Sequence, residues 1–165
     1  MRYKLILFLL SIISCLFVLA EPTSQNFDRE TFYTIMAAGK LADINNELLV
    51  VKGSSVTEKE AYEGALLMRK AGLLKRADDK LKAFKEGRIK LETALQDDND
   101  NGEYHFLRIT IQEHAPHVVK YYKELEKDSQ LLEKRFKNLS PVVQKAILDY
   151  CKTSTVLHQE NFQLP

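Results

Sequence analysis

The chain has 165 residues, with 24 Lys+Arg, 23 Asp+Glu, two Cys and no Trp. This length fits one domain with a modest core. A formal charge of +1 excludes the strong basic excess of a general nucleic-acid binder, and equally an acidic disordered tail.

Two unlike pieces share those totals. Residues 1–4 carry Arg2 and Lys4, residues 5–20 carry no charge, and Glu21-Pro22 then breaks the apolar run. A basic start, an apolar run and a small residue before a polar break make a secretory signal peptide. Val18-Leu19-Ala20 places the cut between Ala20 and Glu21. The expectation is an exported protein, periplasmic or secreted. One alternative is an uncleaved anchor, although the apolar run is shorter than the roughly 20 residues of a bilayer span. The other is a lipoprotein held through Cys15, since Ile12-Ile13-Ser14-Cys15 loosely resembles a lipobox. Cleavage leaves 145 residues with 22 basic and 23 acidic side chains, a net charge of −1. It also leaves Cys151 as the single cysteine, so the domain has no internal disulfide and stands by packing.

Residues 21–27 read as a short flexible lead-in. Asp28 is placed to N-cap a first helix ending near Gly39, with Phe32, Ile35 and Met36 on one face. A second helix over Leu41 to Val51 carries Ile44, Leu48 and Leu49, and Leu48 to Val51 also has strand character. Thr57-Glu58-Lys59-Glu60 has the form of a capping box. It predicts a third helix to about Ala71, with Gly72 as its stop. A longer helix follows from Leu73 to Gln96. Leu74, Ala77, Leu81, Phe84, Arg88, Leu91 and Leu95 repeat at three and four residues along it, an apolar stripe that only Arg88 interrupts. Gly87 beside the stripe costs about 1 kcal/mol relative to Ala in a helix interior, which points to a close neighbour or to a kink.

After the polar turn Asp97 to Gly102, a fifth helix over Glu103 to His114 presents Tyr104, Leu107 and Ile111 inward. Pro116 interrupts it. A second long stripe then runs from His117 through Val118, Tyr122, Leu125, Ser129, Leu132, Phe136 and Leu139. Ser140-Pro141 supplies an N-cap and first-turn proline for a last helix to about Lys152. Residues 153–165 read as a frayed tail. The expected fold is all-α: a single domain over residues 28–152, an antiparallel stack or bundle of six to seven helices.

Leu91-Glu92-Thr93-Ala94-Leu95-Gln96-Asp97-Asp98-Asn99-Asp100 resembles the end of a tetratricopeptide repeat. That family places an Ala-Leu pair near the end of its second helix and follows it with a short acidic loop. Ala61-Tyr62-Glu63-Gly64-Ala65 resembles a first-helix segment of the same family, where small residues let two helices approach. The chain departs from the pattern by lacking Trp, by having Asn99 or Asp98 at the loop proline, and by a Gly64-to-Ala94 spacing that needs an elongated helix. Residues 61–151 also resemble uncharacterised exported bacterial helical proteins, through Ala61 to Met68 and Phe106 to Glu113. The resemblance to the repeat family implies binding of a protein or peptide on a groove. Tyr62, Tyr104, Arg108 and Tyr121 are the candidate groove residues, Tyr121 being read as exposed and Tyr122 as part of the stripe.

No set of residues assembles a catalyst. Asp97-Asp98-Asn99-Asp100-Asn101-Gly102 matches the start of a calcium loop, but its twelfth position is Arg108, which supplies no oxygen. His114 and His117 are three residues apart across Pro116, a poor zinc spacing on a helix. Cys151 has no adjacent His to activate it. Lys75 to Lys90 holds seven basic and three acidic residues. It reads as a solvated face, with an anionic partner or lipid headgroups as the sharper alternative. The expectation is therefore a non-enzymatic binding module with no cofactor, no metal and no nucleic acid, meeting a membrane only through its signal peptide. The alternatives are a self-associating envelope protein that uses the two stripes and, less favoured, a small metal-binding protein or enzyme.

Overall fold

A computed structural model describes residues 26–162. The signal peptide with its Ala20–Glu21 junction, Cys15, most of the lead-in and the last three residues lie outside the described residues. Seven α-helices follow one another: α1 (Arg29–Ala38), α2 (Leu41–Gly53), α3 (Lys59–Leu73), α4 (Ala77–Asp97), α5 (Gly102–Gln112), α6 (Leu125–Arg135) and α7 (Pro141–Cys151). Short 3₁₀ turns cover His117–Val119, Phe136–Asn138 and Gln159–Phe162. There is no strand among the described residues; the run Leu48 to Val51 is helical.

Local chemistry explains several boundaries. The Asp28 carboxylate accepts the Thr31 amide at 2.8 Å and starts α1. Gly39 ends α1 in the left-handed region at φ 62°, where a side chain would be strained and would also strike Arg69. Asn101 Oδ1 accepts the amides of Glu103 and Tyr104 and starts α5. The expected capping box at Thr57 does not form. Its carboxylates are drawn to longer-range cations: Glu58 pairs with Arg29 at 2.5 Å and Glu60 with Lys90 at 2.9 Å. Ser140 takes the N-cap position with Pro141 behind it, but its hydroxyl caps nothing.

α3 and α4 form an antiparallel hairpin whose axes meet at two glycines. A Cβ on Gly64 would lie 2.7 Å from the Leu91 amide nitrogen and 2.8 Å from the Gly87 carbonyl oxygen. A Cβ on Gly87 would lie 2.6 Å from the Gly64 carbonyl oxygen. Gly64 is thus the close neighbour that Gly87 in a helix interior suggested, and α4 runs through Gly87 without a break. Residues 61–68 of α3 are all buried, covered by α2 and α5 as well as by α4.

The core has two parts, and α5 separates them. Tyr104, Leu107 and Ile111 of α5 join α1 to α4 in the larger part, which Tyr121 also enters. Phe106 and Ile109 join Leu132, Phe136, Val143 and Ile147 in the smaller part. The strip expected on the fifth helix is therefore one of two, and α5 is a central helix rather than a surface one.

Three other expectations are corrected. The long helix begins at Ala77, and Leu81, one of its stripe residues, is exposed. The second stripe is not continuous. After the 3₁₀ turn Lys120 adopts φ 49°, helix resumes only at Leu125, and Val118 and Tyr122 face solvent. The lower turns of both stripes are spent inside the fold, at Phe84, Leu91 and Leu95 and at Leu132 and Phe136. The tail is not frayed over residues 153–162. Leu157 and Phe162 fill the smaller core, and Phe162 packs on Phe136 with ring centroids 5.0 Å apart.

A carboxylate fastens that tail. Glu113 accepts the Tyr150 hydroxyl at 2.6 Å, the Ser154 hydroxyl at 2.8 Å, and the amide and hydroxyl of Thr155. Burial would raise the Glu113 carboxyl, but these donors hold it below the ordinary glutamate range.

Two predictions follow from these contacts. Gly64→Ala or Gly87→Ala forces α3 and α4 apart and lowers stability by about 1–3 kcal/mol, whereas Gly72→Ala, which meets nothing within 4 Å, raises it by about 0.5–1 kcal/mol; urea unfolding measures both. Glu113→Gln weakens charge-assisted bonds worth about 1.5 kcal/mol each and should speed amide exchange in residues 153–162 while leaving α3 and α4 protected.

Candidate functional site

α5 carries two apolar strips, and its remaining face holds His105, Arg108 and Gln112, all buried. A buried cation needs a fixed counter-charge, and α6 supplies one. Asp128, fully buried, receives Arg108 Nε at 2.7 Å on one oxygen and Arg108 Nη2 at 2.6 Å on the other. This is the bidentate fork that a guanidinium and a carboxylate make best. His105 Nδ1 sits 2.6 Å from the same carboxylate, and its Nε2 sits 3.0 Å from the Asn99 carbonyl. The ring thereby ties the loop before α5 to α6. Arg108 Nη1 reaches Glu92 of α4 at 2.8 Å, and the Tyr121 hydroxyl donates to the other oxygen of Glu92 at 2.6 Å.

Electrostatics follow the geometry. Burial would push the Asp128 carboxyl up, but Arg108 and His105 outweigh it and hold it below the ordinary aspartate value of 3.8. Burial alone would also weaken Arg108 as a base; the hydrogen bonds and charge of Asp128 reverse this and fix it as a cation. Burial, followed by the neighbouring Glu92, raises the Tyr121 phenol well above its usual range.

Glu92, His105 and Arg108 of this network line a cleft of about 380 Å³ between α4, α5 and α6, with Asp128 and Tyr121 behind them. Leu95 and Leu131 give it an apolar lining, and Gln96, Asn99, Glu124 and Lys127 stand around it.

The four residues expected in a groove do not line one together. Tyr62, Tyr104, Arg108 and Tyr121 are all buried. Arg108 and Tyr121 meet through Glu92 beneath the cleft. Tyr121, expected exposed, packs edge-on against Phe84 with centroids 5.7 Å apart, while its neighbour Tyr122 is the exposed one. The reason is the loss of helix after Val119, which reverses the faces the two tyrosines would have had. Tyr62 belongs to a second network, in which it and Tyr33 donate to Glu103 at 2.6 and 2.8 Å and Arg29 donates to Tyr62. Tyr104 packs in the larger core.

The remaining motifs resolve as structure. In the acidic turn, Asp100 pairs with Arg135 and Asp98 accepts from Asn101. Arg108, the position that argued against calcium, is held by Glu92 and Asp128. No group of three or more candidate metal ligands occurs among the described residues. His114 bonds the Thr110 carbonyl at the end of α5, and His117 packs beside Tyr122. Burial pushes the half-buried Cys151 thiol up to about 11, away from a reactive thiolate.

Searches against known protein families, curated proteins and solved structures find no match to this chain. No helix among the described residues is long and apolar enough to cross a membrane.

Asp128→Asn leaves Arg108 buried beside a neutral amide and should cost about 3 kcal/mol at neutral pH. Because the folded-state value of Asp128 lies below its unfolded one, its contribution is present above about pH 4 and is lost as pH falls through the folded-state value. Denaturation of both proteins over an acid series should show a stability gap that is constant above pH 4 and narrows below it.

Proposed function

We propose that the protein is an exported, non-enzymatic helical binding module that takes a segment of a protein or peptide ligand in the cleft between α4, α5 and α6. One observation carries this reading: the buried charges in and behind the cleft wall are spent on one another. Both Asp128 oxygens are occupied by Arg108 and His105, and Glu92 is occupied by Arg108 and Tyr121. A general base or nucleophile needs a free lone pair facing the substrate, whereas a recognition surface needs a fixed shape. The volume of about 380 Å³ lies at the small end of ligand sites and suits one or two side chains of a longer segment. Polar groups ringing an apolar patch are the usual make-up of such a contact.

Export rests on the basic start, apolar run and small-residue junction of residues 1–20. The likeness to tetratricopeptide repeats is supported by the α3–α4 pair, whose small residues let two helices meet at the backbone.

Site-directed photo-crosslinking in the native compartment tests the reading. A photoreactive side chain at Lys127, on the cleft rim, should trap a defined protein or peptide that the same group at Lys145 of α7 does not. Leu131→Glu should abolish that product while the protein stays folded. Equal labelling from both positions, or a product indifferent to Leu131→Glu, removes the cleft from consideration.

A further inference from the structure

The binding cleft leaves one conspicuous surface unused. Residues 75–82, the turn before α4 and its first turns, are all exposed. They carry Lys75, Arg76, Lys80 and Lys82, and Lys85 follows one turn on. Beside this helix lies the loop 117–123. Tyr121 anchors it there, with its ring 5.7 Å from Phe84 and under the Arg88 guanidinium at 4.9 Å. The rest of the loop faces outward: Val118 is 84% exposed and Tyr122 42%, with Lys120 and Lys123 exposed between and after them. Leu81 on α4 is 47% exposed. Against these cations stand Asp78, Asp79 and Glu86, and Asp79 lies within 3.8 Å of Arg76.

We propose that this surface docks the protein on a phospholipid bilayer bearing anionic headgroups, with Val118 and Tyr122 entering the interface and the surrounding lysines meeting the headgroups. The charge is complementary to such a membrane, and each cation near it strengthens binding about fivefold. The apolar side chains decide between a membrane and an acidic protein. They are isolated and interleaved with lysines, not gathered into a patch. Lys is depleted from protein–protein interfaces, yet its stem lies readily along an acyl boundary while its ammonium stays in water. Tyr settles at the headgroup level. No helix among the described residues is long and apolar enough to cross the bilayer, and the proposed mode is attachment to its surface.

The absence of Trp from the chain makes the test direct. In the otherwise full-length protein, processed as it is in its cell, Val118→Trp places a single indole at the tip of the loop. Titration with vesicles of phosphatidylcholine mixed with phosphatidylglycerol should shift its emission to the blue and sediment the protein. Phosphatidylcholine alone should do neither, and raised salt should reverse the binding. Lys82→Glu, Lys85→Glu and Lys123→Glu together should weaken binding at least about a hundredfold. Lys134→Glu with Lys137→Glu, exposed charges at the end of α6, should change it far less. Unchanged circular dichroism shows that each variant is folded. Equal binding to neutral vesicles, an equal loss from both sets of charge changes, or no vesicle binding alongside tight binding to polyglutamate would overturn the proposal. The last outcome would identify an acidic polypeptide as the occupant.

Discussion

Arg108 and Asp128 are removed from water together, and much of the arrangement of this molecule follows from keeping them satisfied. Each buried ion carries a desolvation cost of several kcal/mol, and only a close, well-directed pair offsets it. The geometry here is of that kind, with two bonds of 2.6 and 2.7 Å in one fork. α6 brings little apolar surface of its own: Leu132 is its one buried hydrophobic residue. The position of α6 against α5 therefore depends heavily on the fork. His105 extends the constraint to the loop before α5, and Glu92 extends it to α4. The cleft wall is the outer surface of this arrangement.

A different face of α5, near its start, repeats the solution with a carboxylate in place of a cation. Glu103 is buried near the helix start, and burial raises its carboxyl above the ordinary range even though Tyr62, Arg29 and Tyr33 pull the other way. The tyrosines donate to it from α1 and α3, and burial raises their phenols in turn. Tyr33 also lies between the two parts of the core, in contact with Phe32 on one side and Phe106 on the other. A central helix with three covered faces is thus held near its start and at its middle by polar side chains and along its length by apolar ones.

Much of the fold was legible in the sequence because it rests on local signals. Asp28, Gly39, Asn101 and Pro141 mark helix ends by their own chemistry, and the spacing around Phe84, Leu91 and Leu95 marks the face of α4. Gly87 announced a close neighbour, although not which one. The site was less legible. His105 and Arg108 fall on the one face of α5 left over after Tyr104, Leu107 and Ile111 are turned inward, and a polar face on a short helix reads as solvent. The signal that would have corrected this was Phe106 with Ile109. Two more apolar residues off the first strip are too many for a helix exposed on one side. Asp128 gave no signal, since it sits among Glu126, Lys127 and Gln130 on a helix that looks solvated. The break at Lys120 was hidden for a different reason: the 4,3 spacing continued across it, and periodicity cannot register a backbone that leaves the helix for a few residues and returns.

The packing of residues 153–162 bears on the order in which the molecule can be made. α1 lies against α7, and the smaller core is closed by Leu157 and Phe162, almost the last residues described. Contacts that join the two ends of a chain carry the largest loop-closure cost and form late. A ribosome releases this chain from the other end, so α1 to α4 and their glycine contact are available long before Phe162 emerges. Until then the smaller core has an open side and α6 and α7 have an incomplete floor. Residues 153–162 are therefore part of the fold rather than an appendage, and a chain cut before Leu157 would lack the side chains that close the smaller core.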